Sequence, residues 1–496
     1  MTSRAIFAAI VVLAPAALLP AQDSATIKVE TRAVQINVAV KDAEGRSVRG
    51  LRQENFIVTD NGHRRDIRMF SSEDAPAPAA APVRLPPNVF SNRFRNAEAG
   101  RRITAILIDA VSTPFEHQAY ARAQAIRAVE KMAGGESIAL YVLDDNLWVL
   151  QNYTTEPERL LIALNSYVPR QPPMPDRTGE FNPRGRRGPP VRMEAPRGMT
   201  GMFVRNRIES TLEALRLISR QMAGVSGRKS LLWLTAGFPP YTDYRHEIET
   251  TIDAVNDSNV ALYPVDTRGL LVGRGANTTI RTMQELADST GGQAYYNRND
   301  VGQAIQEAID DSRHTYSLAF YLPEKDLDGQ FHHLTVKVDR PGLDLHYRRG
   351  YQATLDSQPA GKSKDKGIQS LESELVGPLD RSALGIDARV EIVQTEKGRS
   401  LRISIVLDPS TVAQRQPDGS SAMKLSELFL LTGAGSRVLA RTASRVTVEV
   451  KPGNPVGMFA QTIPLRVGAQ TLQIVIRDVV SGHAGTLTVP LKNLTN

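Results

Sequence analysis

The chain of 496 residues contains no cysteine. This absence excludes disulfide bonds, zinc sites built on thiolates and thiol catalysis, so the folded state has to be stabilised by packing. Aromatic residues make up only 6% of the chain, and just two of them are tryptophan. Beyond the N-terminus, no segment offers the roughly twenty continuous apolar residues that a transmembrane helix needs. We therefore expect no transmembrane segment in the mature chain.

The N-terminus has the organisation of an export signal. Arg4 precedes an uncharged apolar run from Ala5 to Leu19, and the sequence Pro-Ala-Gln follows at residues 20–22. A charged start, an apolar stretch and a small residue before the cleavage point are the parts of a signal peptide. The sequence predicts a signal peptide over residues 1–21 and an exported protein that is periplasmic or secreted. An uncleaved N-terminal anchor is the alternative.

Composition divides the rest of the chain into three regions that are expected to fold. Residues 75–87 are rich in alanine and proline, and residues 357–367 are polar and rich in lysine, as is typical of linkers. The predicted divisions are an N-terminal β module (27–71), a linker (72–100), a central α/β domain (101–312), a β extension (313–355), a second linker (356–380) and a C-terminal β-sandwich (381–496).

Hydrophobic periodicity predicts the class of each region. Apolar residues occupy every second position from Val34 to Val40, and the C-terminal region repeats this pattern of half-buried strands. In the central region, apolar strands such as Ile103–Ile108 alternate with helical stripes such as the one that begins at Phe115. The sequence therefore predicts a doubly wound, mostly parallel sheet with helices, flanked by a β module and a β-sandwich.

Four segments carry a family resemblance. They are VAVKDAEGRSVRGLRQENFIVTDNG from Val38, ILIDAVSTPF from Ile106, GRKSLLWLTAGF from Gly227 and VALYPVDTRGL from Val260. With these segments the chain resembles the von Willebrand factor type A domain superfamily, and most of all the exported VWFA-related domain proteins of the Acidobacterial type. The resemblance implies a type A, Rossmann-like sheet in the central region and a role in adhesion.

The resemblance also implies a metal-ion-dependent adhesion site, which is degenerate in this chain. The family pattern is an Asp-x-Ser-x-Ser turn, a Thr from a second loop and an Asp in a Thr-Asp-Gly turn. Asp109 and Thr113 match, Ser112 is shifted by one, Val111 stands at a hydroxyl position and Ala236 replaces the second carboxylate. Hard cations need about six oxygen ligands, so we expect Mg²⁺ or Ca²⁺ to bind weakly or not at all. The alternative role for Asp109 is to form a turn and cap the following helix.

Other strand ends complete a predicted ligand face. Asp144, Asp145, Thr235 and Asp266 follow further apolar strands. Ligands of open α/β sheets collect outside the carboxyl ends of the strands, so these residues are expected to lie on one edge with Asp109. The three aspartates offer oxygens that could also rebuild a metal site.

The segment Pro169–Gly201 is rich in arginine, proline and glycine. It is predicted to be a disordered, exposed basic insert. Clustered guanidinium groups suit an anionic surface, but the segment has few aromatic stacking platforms, so nucleic-acid binding is not expected.

Catalytic motifs are scarce. His332 and His333 are adjacent on a predicted strand and would point to opposite faces, which favours ordinary surface histidines over a shared metal. Trp148 and Trp233 lie in strand-like contexts and are expected to pack in the core or in a hairpin. The chain is therefore predicted not to be an enzyme.

These observations favour an exported interaction protein of the adhesion type, which binds a protein or an extracellular ligand through loops at the edge near Asp109. Two other classes stay open at this point. One is a structural or assembly factor of the envelope that acts through its β modules, and the other is a hydrolase whose site the sequence hides.

Export gives the first testable prediction. Because Arg4 and the apolar run to Leu19 form a signal-like segment, the mature chain should begin near Gln22. N-terminal sequencing of protein isolated from the producing cell checks this. Soluble protein that still begins at Met1 or Thr2 would contradict the prediction.

Overall fold

The computed structural model describes most of the chain, with gaps. The described residues are 31–72, 85–93, 103–132, 136–170, 199–225, 229–238, 243–270, 276–311, 314–353, 364–375, 377, 379–396, 398–408, 411, 422–449, 456–479 and 481–494. The predicted signal peptide and residues 171–198 of the basic insert lie outside these ranges, so both predictions stay predictions.

Strands dominate the two ends of the chain. In chain order the strands are β1 (Thr31–Lys41), β2 (Phe56–Asp60), β3 (His63–Arg65), β4 (Met69–Ser72), β5 (Val89–Ser91), β6 (Ile103–Asp109), β7 (Ser137–Leu143), β8 (Leu147–Thr154), β9 (Lys229–Thr235), β10 (Val260–Asp266), β11 (Thr315–Pro323), β12 (Phe331–Val338), β13 (Asp344–His346), β14 (Gly350–Gln352), β15 (Ile386–Thr395), β16 (Gly398–Leu407), β17 (Ala422–Thr432), β18 (Val438–Glu449), β19 (Val456–Pro464), β20 (Thr471–Asp478) and β21 (Ala484–Pro490).

Helices dominate the middle of the chain. They are α1 (Phe115–Glu130), α2 (Pro157–Ser166), α3 (Met199–Met222), α4 (Arg245–Asp257), α5 (Ala276–Thr290), α6 (Val301–Asp311) and α7 (Lys364–Glu372).

The central domain is built on a five-stranded sheet in the order β10-β9-β6-β7-β8. The first four strands are parallel, and β8 returns antiparallel to β7 as a hairpin. Every residue of the four parallel strands is buried. Continuous burial of this kind requires cover on both faces of the sheet.

Two helical layers provide that cover. One face packs against α3, α4 and α5, through residues such as Leu212, Ile248 and Leu286. The other face packs against α1, α2 and α6, through residues such as Ala125 and Leu160. The central sheet is therefore a mixed α/β, doubly wound structure with mostly parallel strands.

The N-terminal strands and the predicted β extension form one β-sandwich. Its two four-stranded sheets have the orders β13-β1-β11-β4 and β14-β12-β2-β3. β1 pairs with β11 over nine residues, with Ile36 opposite Leu318. The apolar residues that alternate along β1 face the core between the sheets, as the period-two pattern predicts. The chain therefore leaves this sandwich after β4, builds the central domain and returns to complete the same core.

The C-terminal strands form a second sandwich, with sheets in the orders β19-β16-β15-β5 and β18-β17-β20-β21. Both segments that the sequence predicts as linkers contain regular structure. β5 comes from the segment 72–100 and pairs with β15, with Phe90 opposite Ala388. In the segment 356–380, Leu371 of α7 packs against Leu428 of β17 and Val475 of β20. β5 and α7 are not recognised in the sequence because they are short and flanked by polar or proline-rich residues.

No helix in the described part of the chain combines the length and the apolarity that a membrane crossing needs.

Asn92 fastens β5 to the C-terminal sandwich. Its side-chain amide donates to the carbonyl oxygens of Arg381 at 2.7 Å and Leu384 at 2.9 Å, and its Oδ1 accepts the Ile386 N–H at 2.6 Å. Asn92 is only 8% exposed, so water cannot replace these partners.

Replacing Asn92 with alanine should therefore destabilise the C-terminal sandwich by roughly 3 kcal/mol, because buried backbone groups lose their partners. Urea unfolding monitored by far-UV circular dichroism should show the change. Tryptophan fluorescence should not, since both tryptophans belong to the central domain. Gln394→Ala, an exposed position on the same sheet, is the control. Equal stability of the Asn92 variant and this control would contradict the prediction.

Candidate functional site

The strand order creates a topological switch point at one edge of the central sheet. β6 lies between β9 and β7. The helix that follows β6 covers one face of the sheet, and the helix that follows β9 covers the other. Ligands of open α/β sheets bind where the connections diverge in this way. Asp109 ends β6 and Thr235 ends β9, so both predicted residues lie at this point, on the edge that we call the C-terminal edge.

Asp109 is completely buried and hydrogen-bonded on both oxygens. Its Oδ1 accepts the backbone N–H of Ser112 at 3.0 Å. Its Oδ2 accepts the indole N–H of Trp233 at 3.0 Å and lies 3.3 Å from the hydroxyls of Thr211 and Thr235. The carboxylate is therefore tied to its own loop, to β9 and to α3.

Burial dominates the electrostatics of this group. It raises the pKa of the Asp109 carboxyl above its ordinary value, while the hydrogen bonds from Ser112 and Trp233 and the charge of Arg207 act in the opposite direction. Burial also lowers the pKa of the Arg207 guanidinium, against the attraction of Asp109. The donors around the carboxyl group oppose the effect of burial and favour its ionised form.

The structure brings the predicted hydroxyls to the same place. The Thr113 Oγ1 accepts the backbone N–H of Ala236 at 3.0 Å, and the Ser112 Oγ lies 3.3 Å from the Thr211 Oγ1. Asp109 shapes the turn that contains Ser112, as the alternative interpretation expected. It does not cap α1, because the residue before that helix is Pro114 and no side chain caps it.

Two of the three other predicted carboxylates, Asp144 and Asp266, have local partners. Asp144 accepts the N–H of Asn146 at 3.1 Å and the indole N–H of Trp148 at 2.7 Å, while Asp145 is exposed. Asp266 binds the Arg268 guanidinium, with Oδ–N distances of 2.7 and 2.9 Å. None of these contacts reaches Asp109. Across the described ranges, no three acidic or histidine side chains are arranged to hold a metal ion.

The residues around Asp109 do not fit a tight divalent-cation site. An indole N–H has a donor and no lone pair to offer a metal, and it points at the Asp109 Oδ2. The second carboxylate of the family pattern is replaced by Ala236, whose backbone N–H contacts Thr113. Hydrogen-bond donors thus engage both oxygens of Asp109.

Four exposed apolar side chains, which the sequence analysis did not assign to the site, surround this edge. We call them the apolar rim: Phe115, Trp148, Met202 and Leu270, with 48%, 55%, 65% and 61% of their surfaces exposed. Trp148 lies in the β7–β8 hairpin, opposite Val142, as one of the two expected contexts, although 55% of its surface is exposed, whereas Trp233 is fully buried in the core. The sequence offers one indication of the four rim residues: each lies within a few residues after a strand or in the first turn of a helix.

The sequence predicts that Phe115 begins the buried face of α1, but in the structure Phe115 is exposed and Gln118 is buried. The hydrogen bonds of Gln118 explain this difference. The Gln118 amide nitrogen lies within hydrogen-bond distance of the carbonyl oxygens of Ala110, Thr113 and Arg170. This holds α1 with Gln118 inward and Phe115 outward. It also fixes the start of the basic insert at the C-terminal edge.

The histidine pair differs from its predicted surface role. His333 is exposed, but His332 is buried, and its Nδ1 lies 2.8 Å from the Asp60 Oδ1. Arg65 and Tyr351 also bind the Asp60 carboxylate. The alternation along β12 turns His332 into the N-terminal sandwich, where it joins a polar network that links four strands.

Comparisons with known proteins identify similar folds only at a distance. No protein-family model and no curated protein matches the sequence. Among solved structures, an aerotolerance-related membrane protein from Bacteroides fragilis is 12% identical over 42% of this chain and 98% of that one, with a TM-score of 0.27. A von Willebrand factor type A protein from Catenulispora acidiphila is 11% identical over 70% of this chain and 66% of that one, with a TM-score of 0.26.

Proximal thread matrix protein 1 from the mussel byssus, with a zinc-occupied MIDAS motif, is 12% identical over 43% of this chain and 46% of that one, with a TM-score of 0.27. Similarities at these scores carry no argument about function. The architecture described above therefore rests on the strand order, the parallel pairing and the two helical layers.

Metal binding is the sharpest chemical test of this edge. The unmodified protein should bind Mg²⁺ or Mn²⁺ weakly. Ala236→Asp should raise the affinity by adding an oxygen beside Thr113, and the double change with Trp233→Phe should raise it further, because the indole N–H no longer competes for Asp109. Titration calorimetry measures all three proteins.

Ala236→Asn is the matched control, since it adds similar bulk without the charge. Circular dichroism shows whether each variant is folded, because Trp233 is part of the core. Tight binding by the unmodified chain would mean that other oxygens have rebuilt the site.

Proposed function

We propose that the protein is an exported, non-enzymatic interaction protein of the adhesion type, periplasmic or secreted. It binds a protein or another extracellular ligand through the C-terminal edge of a type A-like domain whose metal site is degenerate. One observation carries the proposal: a fully buried carboxylate, satisfied by internal donors, lies below a rim of large apolar side chains that are about half exposed or more.

The part of α3 that projects beyond this edge favours a macromolecular ligand. In α3, twelve residues precede Thr211, which contacts Asp109 at the end of β6. At about 1.5 Å per residue, these turns extend roughly 18 Å beyond the edge. Met202 lies on this projecting part and is 65% exposed. A projecting helix with an apolar side chain suits contact with another protein better than it suits enclosure of a small substrate.

Apolar contact takes over the role that a metal plays in the family pattern. Trp148 and Phe115 are aromatic, and exposed aromatic side chains are the residues that most often dominate the energy of a protein interface. Spread over strands about 4.8 Å apart, the rim covers a width of roughly 20 Å. We take these four side chains, which lie around one edge of the sheet, as parts of one interaction surface.

The other two classes receive less support. Asp60 and His332 are the most enzyme-like pair in the described residues. They hydrogen-bond to Arg65, Tyr351 and Asp328, and this network holds strands together rather than leaving either group available for catalysis. An assembly factor that acts through the β modules would expose its contact residues on the sandwiches. Tyr321 on β11 is such a residue, with 51% of its surface exposed, and it provides the comparison for a test.

The proposal predicts that Trp148→Ala and Phe115→Ala each reduce ligand capture at least tenfold, because each removes an aromatic anchor from the rim. Tagged protein is incubated with the envelope fraction and the medium of the producing cell, and bound material is quantified by mass spectrometry. The folded state of each variant is checked by thermal unfolding.

Tyr321→Ala is the matched control, since it removes an equally exposed aromatic from the N-terminal sandwich. It should leave capture unchanged. Loss of capture with Tyr321→Ala and not with the rim variants would support the β-module alternative instead.

A further inference from the structure

A polar cavity lies at the other end of the central domain. It has a volume of about 910 Å³ and lies where the end of α6 meets β1 and β13. Its wall carries six carboxylates against three cationic side chains and one histidine. The carboxylates are Asp42, Glu44, Glu307, Asp310, Asp311 and Asp344. Arg46 pairs with Asp42 and Glu44, Lys41 pairs with Asp311, and Arg298 pairs with Glu307. The six carboxylates still outnumber these cations, which favours a ligand that carries positive charge.

One of these carboxylates is buried with an oxygen to spare. The Asp311 side chain is 2% exposed, and its Oδ1 pairs with the Lys41 Nζ at 2.7 Å. Its Oδ2 is shielded from solvent and has no hydrogen-bond donor among the described residues. Buried carboxylate oxygens are normally paired, so this oxygen has the capacity to accept a further hydrogen bond.

Helix packing places the cavity opposite the C-terminal edge. α6 runs parallel to α1: the Tyr120 hydroxyl donates to Asn299, the Gln124 Oε1 accepts the Gly302 N–H at 3.2 Å, and the Gln306 amide donates to Ala128. Because α1 begins at the C-terminal edge, α6 ends at the opposite one. The height of the sheet, seven residues at about 3.3 Å each, separates the two by roughly 23 Å.

The chain itself contains a segment of complementary charge. Between Arg170 and Met199, residues 171–198 contain six arginines and three acidic residues. Arg170 is held at the C-terminal edge by Gln118, and Met199 begins the projecting part of α3. A guanidinium group presents several N–H donors in a rigid fork, which suits recognition of carboxylates.

We propose that the arginine-rich insert of one copy docks into the acidic cavity of a second copy. Arg170, from which the insert departs, and the cavity lie at opposite ends of one molecule, so the contact is head-to-tail. Such a contact joins copies in open chains unless the rotation closes a ring. Docking of the insert into the cavity of its own chain would instead leave the protein monomeric at every concentration.

Sedimentation velocity on the full chain tests the proposal. The protein should associate with rising concentration at low ionic strength and dissociate at high ionic strength. The combined changes Arg184→Glu, Arg186→Glu and Arg187→Glu should weaken association at least tenfold. Asp310→Lys in the cavity should do the same, whereas Glu396→Lys, an exposed carboxylate on the C-terminal sandwich, should have no effect.

Mixing the two impaired variants gives the decisive result. The cavity variant keeps an intact insert and the insert variant keeps an intact cavity, so the mixture should form pairs and nothing larger. A labelled peptide of residues 181–193 should also bind the insert variant and bind the Asp310→Lys variant at least tenfold more weakly. A monomer at every concentration, or a mixture that stays monomeric, would overturn the proposal.

Discussion

The structure depends on the complete burial of β6. This strand has a neighbour on each side and a helical layer on each face, so the carboxylate that ends it emerges where water does not reach. An ionised group in such a place needs donors, and the protein supplies them from three elements. Ser112 belongs to the loop after β6, Trp233 and Thr235 belong to β9, and Thr211 belongs to α3. The Asp109 carboxyl group therefore links the loop after β6, the neighbouring strand β9 and the helix α3.

The order in which the chain visits its domains imposes a second constraint. The central domain is inserted between strands of a single sandwich, and β1 pairs with β11 across more than 270 residues. β5 then ties the segment before the central domain to the sandwich that follows it. Direct contacts reinforce the connection, such as the ion pair between Lys41 and Asp311 and the hydrogen bond from Gly224 N to Ser382 Oγ at 2.9 Å. The central domain is thus held by β-structure at both of its connections.

Because the parallel strands of the central sheet run in one direction, its two edges differ in chemical character. The carboxyl ends of four strands meet at one edge, where the Asp109 carboxyl group is buried and apolar side chains are exposed. At the opposite edge, the end of α6 and the turn after β1 gather carboxylates around a cavity. A contact that relies on burial of apolar surface is not weakened by added salt, whereas a contact between guanidinium and carboxylate groups weakens as salt screens it. The two proposed interactions can therefore be distinguished by ionic strength alone.

The sequence by itself determined the class of each region, because periodicity reports burial: alternation along β1 and the solid apolar run of β6 both predict strands correctly. It also brought Asp109, Ser112, Thr113 and Thr235 to one place, since parallel strand ends share an edge. The partners of these residues were decided by tertiary structure. That Trp233 donates to Asp109 depends on which strands are adjacent, and that His332 is buried depends on which sheet covers β12. The same holds for β5 and α7, short elements whose stability comes from a distant sheet and not from local preference.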